Sequence, residues 1–242
     1  MRTIRLFHPG IYQVPETISL NENAAHHAAV VLRLKPGDNI TLFNGNNEEF
    51  DATIVAINKK SVQVSLSAKR PVDRESPCKI HLGQAIIKGD RMEWLMQKAV
   101  EMGVFQITPL LSEHAAVRYD DKRLNKKMAQ WQGIIIAACE QCGRNRLPTL
   151  NAPQSTHDWF ANTPDNPLIL LPGAERGVKQ LQASGHHCLT IAIGPEGGWS
   201  CEEENIAKAH QWQAIGLGPR ILRAETAALC ALTLLQGAFG DI

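Results

Sequence analysis

The sequence predicts an α/β protein in which a small β-rich domain precedes a mostly parallel sheet covered by helices. Residues 1–70 hold short strand-like runs joined by turns of two to five residues, which is typical of a small barrel. From Lys79 onward, strand-like and helix-like runs alternate, which favours a parallel sheet. Glycine-rich loops follow two of the later strands. We therefore expect a barrel domain over 1–70, a polar, proline-bracketed linker over 71–78 and an α/β domain over 79–242.

The first domain is predicted from its turns and its alternating strands. Ile4 to His8 can form a strand, and Asn23 to Leu34 reads as an Ala-rich helix with Asn23 as N-cap. Pro36-Gly37 ends this helix. The remaining strands are predicted over Ile40 to Phe43, Glu49 to Ile57 and Ser61 to Ser67.

In the second domain, apolar runs bounded by Gly, Pro or capping residues define the elements. Asp90 is expected to cap a helix that runs to about Met102. Its apolar residues recur with helical spacing on or near one face: Met92, Leu95, Met96, Ala99 and Met102. Further helices are predicted over Arg123 to Cys142, Thr156 to Phe160, Val178 to Gln182 and Ala224 to Phe239. Strands are predicted over Ile80 to Ile86, Phe105 to Leu111, Leu168 to Leu171, Leu189 to Ile193 and Ala214 to Leu217.

The two glycine-rich loops are the strongest functional signal. IGPEGGWSCEEE begins at Ile193, and LGPRILRAET begins at Leu217. Loops at the carboxyl ends of neighbouring strands are where open α/β sheets bind ligands, and glycine lets the backbone approach a ligand closely. Ser200 and Glu203 form a capping-box pattern, so a tight turn before a capped helix is the simpler interpretation of the first loop. Glu225 with Thr226 can likewise cap a helix or contact a ligand.

Composition and charge leave several classes of function unsupported. The chain has 242 residues, 44% of them apolar, and carries a net charge of +1. It has neither a dinucleotide fingerprint nor a P-loop, which argues against a nucleotide-dependent oxidoreductase. No apolar run approaches the roughly 18–20 residues of a membrane span, and no signal peptide is apparent, so we expect a cytoplasmic protein. Residues 118–146 hold seven basic against three acidic side chains, which fits a phosphate-binding patch or a solvated helix face.

The cysteines do not predict a metal site. There are six, and only Cys139 and Cys142 are spaced as a pair. A single C-x-x-C without a second pair is a poor zinc signal. We expect reduced thiols and no bound metal.

Motifs along nearly the whole chain resemble one family. RLFHPG, VLRLKPGD and LFNG resemble its N-terminal PUA-like barrel, and HLGQAIIKGDRMEWLMQKAVEMGVFQITPLLSEH resembles the start of its catalytic domain. ACEQCGR, IGPEGGWSCEEE and LGPRILRAETAAL match its later motifs. The family is the bacterial 16S ribosomal RNA uridine-N3 methyltransferases, the RsmE family. Departures are Met102 for a frequent leucine, His114 for a usual arginine, and LLPG at Leu170 to Gly173 for a common His-Pro pair.

The resemblance implies a SPOUT-type knotted α/β methyltransferase domain with an N-terminal PUA-like β-barrel domain. It also implies a homodimer, S-adenosylmethionine as cofactor, and the small ribosomal subunit as partner. The expected reaction is methylation of N3 of a decoding-region uridine in 16S rRNA. The alternatives are an RNA-binding or ribosome-assembly module with a vestigial cofactor pocket, and a methyltransferase of another RNA position.

The resemblance and the chemistry of methyl transfer also indicate site residues. A cation near the uracil oxygens favours the N3 anion, so we expect catalytic roles for Arg223 and Arg144. Glu196, Glu140 or Glu225 can accept a proton or orient an arginine, and Glu196 is the expected catalytic carboxylate. The residues expected to bind RNA are Arg5, Lys122, Lys126, Lys127 and Arg144. The residues expected to bind the cofactor are Leu171, Pro172, Ile193, Gly194, Pro195, Glu196, Gly197, Gly198, Leu217, Gly218, Pro219, Ile221, Leu222, Arg223, Glu225 and Thr226.

Overall fold

The computed structural model describes residues 4–58, 61–117, 119–162, 165–181 and 188–242. Its contacts divide the chain into two compact units. The first comprises Met1–Glu75 and Ile136–Leu147, and the second comprises Ser76–Ile135 and Pro148–Ile242. The predicted domain boundary, a linker over 71–78, stays a prediction. The two contact-based units differ from the predicted domains because the first unit also contains residues 136–147.

The first unit is built on a five-stranded sheet. Its strands are β1 (Arg5–Phe7), β2 (Glu16–Ser19), β3 (Asn39–Phe43), β4 (Glu48–Asn58) and β5 (Ser61–Pro71), in the order β1-β3-β4-β5-β2. β1 pairs with β3 in parallel, and the other pairs are antiparallel. Alternate residues of β5 (Val62, Val64 and Leu66) are buried in the core, as a half-buried strand requires.

The helix of the first unit starts earlier and is shorter than predicted. α1 spans Glu22–His26, and its N-cap is Asn21, whose side chain accepts a hydrogen bond from the amide of Ala24 at 2.9 Å. A π-helical turn, His27–Val31, follows it. The predicted N-cap Asn23 was therefore wrong: Asn21 already satisfies the free amide at the start of the helix.

The second unit contains a seven-stranded sheet in which every described pairing is parallel. Its strands are β6 (Lys79–Ala85), β7 (Gln106–Leu111), β8 (Thr149–Leu150), β9 (Gln154–Ser155), β10 (Pro167–Leu170), β11 (Cys188–Ile193) and β12 (Gln213–Ile215). The order is β12-β10-β11-β6-β7-β8, with β9 beside β7. β10, β11 and β12 are neighbours, so the loops that leave their carboxyl ends lie at one edge of the sheet.

Among the described residues from 76 onward there are five α-helices and one 3₁₀ turn. They are α2 (Asp90–Glu101), α3 (Asp121–Cys142), α4 (Thr156–Ala161), the 3₁₀ turn Val178–Gln180, α5 (Cys201–Ala209) and α6 (Ala224–Phe239). Gln182, the predicted end of the 3₁₀ turn, lies outside the described residues. α2 packs against α6 and buries the predicted apolar stripe except Met102, which is its half-buried C-cap. The predicted cap Asp90 was wrong, because Asp90 is the first residue of the helix and Gly89 is the N-cap. None of the described helices is long and apolar enough to cross a bilayer.

Aromatic side chains anchor the loop edge of the second unit. Phe160 meets the rings of Trp199 and Trp212 edge to face, at centroid distances of 5.2 and 5.1 Å. The indole N–H of Trp199 donates to the carbonyl of Leu170 at 3.3 Å. Trp199 therefore ties the loop after β11 to the end of β10.

Candidate functional site

The loops that follow β10, β11 and β12 enclose a cleft with a volume of about 460 Å³. This volume falls within the range of roughly 300–1,000 Å³ that small-molecule sites occupy. The residues that line the cleft are Leu170, Leu171, Pro172, Ile193, Gly194, Pro195, Glu196, Gly198, Trp199, Glu204, Ile221, Leu222, Arg223, Ala224 and Ala227. Its walls are mainly apolar side chains and backbone, with a few charged groups at defined places.

Main-chain contacts hold two of the three loops together. The amide of Leu171 donates to the carbonyl of Ile215 at 3.0 Å, and the amide of Gly216 donates to the carbonyl of Arg176 at 2.8 Å. A Cβ at Gly216 would lie 2.4 Å from the carbonyl oxygen of Ala174. Only glycine fits here, because any larger residue would push the two loops apart. These contacts also explain why β12 ends at Ile215 and not at Leu217, the predicted end.

The loop after β11 is a tight turn followed by a capped helix, as predicted. Gly198 has a φ of +72°, and its amide donates to the carbonyl of Pro195 at 3.0 Å. The Ser200 hydroxyl accepts from the amide of Glu203 at 3.1 Å, and the Glu203 carboxylate accepts from the amide of Ser200 at 2.7 Å. The predicted capping box is therefore confirmed.

Glu203 does more than cap α5. The side chain is fully buried, and its carboxylate also accepts from the amide of Glu113 at 3.1 Å, the hydroxyl of Thr156 at 2.6 Å and the hydroxyl of Ser112 at 3.3 Å. One carboxylate thus joins the loop after β11 to the loop after β7 and to the start of α4. Such a buried charge is stable only because donors surround it.

Most of the residues predicted to bind a cofactor line the cleft. Leu217 and Gly218 line a narrower adjoining cavity of about 50 Å³, which shares Leu171, Ile221 and Leu222 with it. Gly197, Pro219, Glu225 and Thr226 line neither. Sequence reasoning missed the lining residues Leu170, Trp199, Glu204, Ala224 and Ala227. Trp199 directly follows the glycine-rich loop, which was the signal available for it.

Glu196 is held by a partner that the sequence did not indicate. Its carboxylate lies 3.4 Å from the guanidinium of Arg91 and accepts from the amide of Lys88 at 3.2 Å. Arg91 also lies 3.9 Å from one carboxylate oxygen of Glu225. Arg91 therefore connects the loop after β11 with the start of α6.

Arg223 occupies the N-cap position of α6, with extended backbone and an exposed side chain. Among the residues that the structure describes, no carboxylate lies within ion-pair distance of it. A cation at a helix N-terminus is unfavourable for the helix, because the helix dipole is positive at that end. Its position in the cleft therefore points to a ligand rather than to a role in helix stability.

Glu225 provides a second unusual group. The residue is 8% exposed, and its oxygen Oε2 has no hydrogen-bond partner within the described part of the chain. Buried carboxylate oxygens in native proteins nearly always accept a hydrogen bond. Glu225 lines neither cavity, so no ligand is assigned to this oxygen.

The two arginines predicted to touch RNA are engaged within the first unit. Arg144 is 5% exposed and forms a bidentate pair with Glu75, with its Nε 3.0 Å from a carboxylate oxygen. Arg5 pairs with Glu49 and donates to Asn145. Both guanidinium groups are held in these contacts, so the structure presents neither as a free cation for a phosphate.

The predicted RNA-binding lysines all belong to the first turns of α3. Lys122 and Lys126 are exposed, whereas Lys127 is half-buried and lies 3.0 Å from Glu93. Its hydrogen bond to Glu93 raises the pKa of Lys127. Arg118, part of the same basic stretch, lies outside the described residues.

Comparison with known proteins defines the class to which this fold and cleft belong. Residues 74–236 match the family model of an RNA methyltransferase domain, and residues 20–67 match that of an RNA methyltransferase PUA domain. The chain is an RNA methyltransferase by fold and by domain content. The fold is the expected SPOUT-type α/β domain with an N-terminal PUA-like domain, and the knot stays a prediction.

Relatives over the full length identify the family. A protein of Buchnera aphidicola named ribosomal RNA small subunit methyltransferase E is 36% identical over 243 residues, covering 100% of this chain and 98% of the relative. A protein of Bacillus subtilis with the same name is 30% identical over 230 residues, covering 91% and 90%. The chain belongs to the ribosomal RNA small subunit methyltransferase E family, as the sequence motifs predicted.

Two solved structures share the whole fold. A methyltransferase from Legionella pneumophila, in complex with S-adenosylmethionine, is 45% identical with a TM-score of 0.97 over 100% of both chains. A ribosomal RNA small subunit methyltransferase E from Neisseria gonorrhoeae, bound to S-adenosylmethionine, is 35% identical with a TM-score of 0.91 over 100% of both chains.

The cleft of this chain fits the same cofactor. Its apolar walls suit an adenine ring, and the glycine-rich loops expose backbone groups that can read the edge of the ring. The residue types present therefore agree with S-adenosylmethionine as the cofactor.

Proposed function

We propose that this protein methylates N3 of a uridine in the 16S rRNA of the small ribosomal subunit. The observation that carries the proposal is the cleft at the ends of β10, β11 and β12, in a chain of the small subunit methyltransferase E family. When bound, S-adenosylmethionine supplies a methyl group already activated by a positively charged sulfur. The protein must then position the nucleotide, exclude water and favour loss of the N3 proton.

Arg223 is the residue that we assign to the N3 proton. Uracil N3 is a poor nucleophile while protonated, and its anion spreads charge onto both carbonyl oxygens. A guanidinium facing these oxygens lowers the free energy of the anion. Arg223 suits this role because it lines the cleft and has no ion-pair partner among the described residues.

Glu196 and Glu225 are assigned to positioning. Glu196 is already paired with Arg91 and the amide of Lys88, so we propose that it fixes the glycine-rich loop rather than accepts the proton. Glu225 lies 3.9 Å from Arg91, and we propose that it helps to hold that side chain beside Glu196. We propose no catalytic role for Arg144, because Glu75 neutralises its charge within the first unit.

The partners that we propose are the small ribosomal subunit or its late precursor, in the cytoplasm, and a second copy of this chain. Lys122 and Lys126 are the exposed cations that we assign to the RNA backbone. Exposed apolar side chains on the packed helices α2 and α6, Trp94 and Leu234, are each 46% exposed and support a homodimer. Light scattering should therefore give about twice the 26.7 kDa chain mass.

A methyl-transfer assay tests the proposal. Purified protein and labelled S-adenosylmethionine are offered small subunits from cells that lack the gene, and the product nucleosides are separated. We expect 3-methyluridine. A different methylated nucleoside would move the target while retaining the enzyme class. Absence of both transfer and cofactor binding would refute the proposal and favour an RNA-binding module.

A further inference from the structure

A second cavity lies at the same carboxyl edge of the sheet as the cleft. It has a volume of about 420 Å³ and is formed over the ends of β6, β7 and β9. Ile86, Leu111 and Tyr119 contribute apolar and aromatic walls, and Glu113, His157 and Ser155 contribute polar groups. Leu111 is 43% exposed, although it ends a buried strand. An apolar floor with a polar rim is typical of a binding site.

The loops that border the second cavity and the cleft are in contact. A Cβ at Gly197 would lie 3.0 Å from the Cβ of His114, so the loop after β11 rests on the loop after β7. Glu203 ties the same two loops together through the amides of Ser200 and Glu113. A nucleotide whose base reaches the cofactor in the cleft would therefore have its neighbour in the RNA strand beside the second cavity.

The polar rim is centred on an ionised carboxylate. The Nε2 atom of His157 lies 3.1 Å from the Glu113 carboxylate, and the Ser200 hydroxyl bonds to the same group. These hydrogen bonds lower the pKa of Glu113, so it is an acceptor at neutral pH. Each carboxylate oxygen can accept more than one hydrogen bond, which leaves capacity for a ligand.

Charge and shape decide which part of an RNA strand suits this cavity. A carboxylate repels a phosphate, and it also repels the O2 and O4 oxygens that flank N3 of uracil. Adenine, guanine and cytosine each present an exocyclic amino group that a carboxylate can accept from. Tyr119 offers a face on which a base can stack, the usual mode of single-stranded RNA recognition.

We propose that the second cavity binds a nucleobase with an exocyclic amino group, adjacent in the RNA to the nucleotide that is methylated. This inference rests on the proposed function. The base stacks on Tyr119 and donates its amino group to Glu113. The cavity thereby discriminates the sequence context of the target rather than the target base.

The same corner offers a competing occupant. Glu113, His157 and Glu202 place one ligand atom each within 4.8 Å of one another, as a divalent cation site would. A cation would not use the apolar walls, however, and Glu202 does not line the cavity. A nucleobase would use both the apolar walls and the polar rim of the second cavity, so it fits the cavity better than a divalent cation does.

Cytidine and uridine form the sharpest pair of probes, because they have the same size and differ at the amino group. The full-length protein is saturated with S-adenosylhomocysteine to fill the cleft, and the methyl signals of Ile86 are followed by NMR during titration. We expect cytidine to shift these signals and uridine to bind at least about tenfold more weakly. Glu113→Gln should weaken cytidine binding about tenfold, the difference between a charged and a neutral hydrogen bond. The matched variant Glu202→Gln should leave it unchanged.

Other results would overturn the proposal. Equal binding of cytidine and uridine, or no binding of either, would refute base recognition. Loss of Mn²⁺ binding in both Glu113→Gln and Glu202→Gln, without any effect of cytidine, would assign a cation site.

If Glu113→Gln does not fold, Tyr119→Leu tests the stacking face and should weaken cytidine binding. In small-subunit assays, Glu113→Gln should raise KM while kcat is retained. Wild-type protein that binds cytidine but transfers no methyl group would refute the proposed function alone.

Discussion

Replacing Glu203 by alanine tests the claim that one buried carboxylate organises the loop edge of the second unit. The wild-type carboxylate accepts from the amides of Ser200 and Glu113 and from the hydroxyls of Thr156 and Ser112. The two hydroxyls can turn toward other acceptors when the carboxylate is removed. The two amides cannot, because their directions are set by the backbone.

The expected loss follows from this difference. A helix cap alone contributes about 1 kcal/mol. The amide of Ser200 belongs to a buried residue, and leaving it without a partner costs about 1–3 kcal/mol. The amide of Glu113 belongs to an exposed residue, so water can partly replace its lost bond. For Glu203→Ala we therefore expect the free energy of unfolding to fall by about 2–4 kcal/mol, a large part of the roughly 5–15 kcal/mol that natural proteins have.

Urea unfolding followed by tryptophan fluorescence measures this loss, since Trp199 and Trp212 belong to the same core cluster. Glu202→Ala is the matched control, because its exposed carboxylate is in the same helical turn. We expect the control to change the free energy by less than about 0.5 kcal/mol. A loss of only about 1 kcal/mol in Glu203→Ala would mean that the residue is merely a helix cap. The claim that Glu203 joins the loop after β11 to the loop after β7 would then be wrong.

Three further predictions concern the cleft and the first unit. Gly216→Ala should weaken S-adenosylmethionine binding at least about tenfold in calorimetry, because a Cβ there meets a carbonyl oxygen at 2.4 Å. Arg223→Ala should lower kcat by about 10²–10³ with cofactor binding retained, the usual effect of removing one electrostatic donor. Burial raises the pKa of Glu49, but hydrogen bonds from Arg74, Arg5 and Asn145 outweigh it and lower the pKa to about 2. Because the folded pKa lies below the unfolded value, this stabilisation is present above about pH 4.5 and is lost toward pH 2.

Each of these predictions has a control or a contrary result. Gly133→Ala places a Cβ in open space on α3 and should leave cofactor binding unchanged, so equal effects at Gly133 and Gly216 would contradict the steric argument. Undiminished turnover and RNA binding in Arg223→Ala would remove this residue from catalysis. Glu49→Gln should flatten the loss of stability between pH 4.5 and 2 in acid titrations of the folded protein, and an unchanged slope would assign that loss to other carboxylates.

Local patterns in the sequence predicted the elements that local chemistry determines. The helix α6 has the predicted bounds, Ala224–Phe239, because an apolar run starts directly after an extended arginine. The capping box at Ser200 was readable because its two partners are three residues apart. Asn21 and Asn23 show the limit of prediction from local sequence. Asparagine is a good N-cap at either position, and only the hydrogen bond from the amide of Ala24 to the Asn21 side chain identifies which one caps the helix.

The contacts that the sequence did not reveal join residues far apart in the chain. Arg91 and Glu196 are 105 positions apart, and Glu203 and Glu113 are 90 apart. No periodicity connects such pairs, because the packing of the whole sheet brings them together. Arg144 shows the converse case: its type and neighbours suggested catalysis, but a distant glutamate, Glu75, neutralises it.

The main-chain bonds between the loops after β10 and β12 have a consequence for protein engineering. Leu171 and Gly216 are held through their amides, and Pro172 needs no amide at all. The side chains of Leu171 and Pro172 can therefore change while the backbone keeps its shape, whereas Gly216 cannot, because a Cβ there meets a carbonyl oxygen. The same freedom makes Leu171 and Pro172 suitable positions for engineering the cleft to accept bulkier cofactor analogues without loss of the fold.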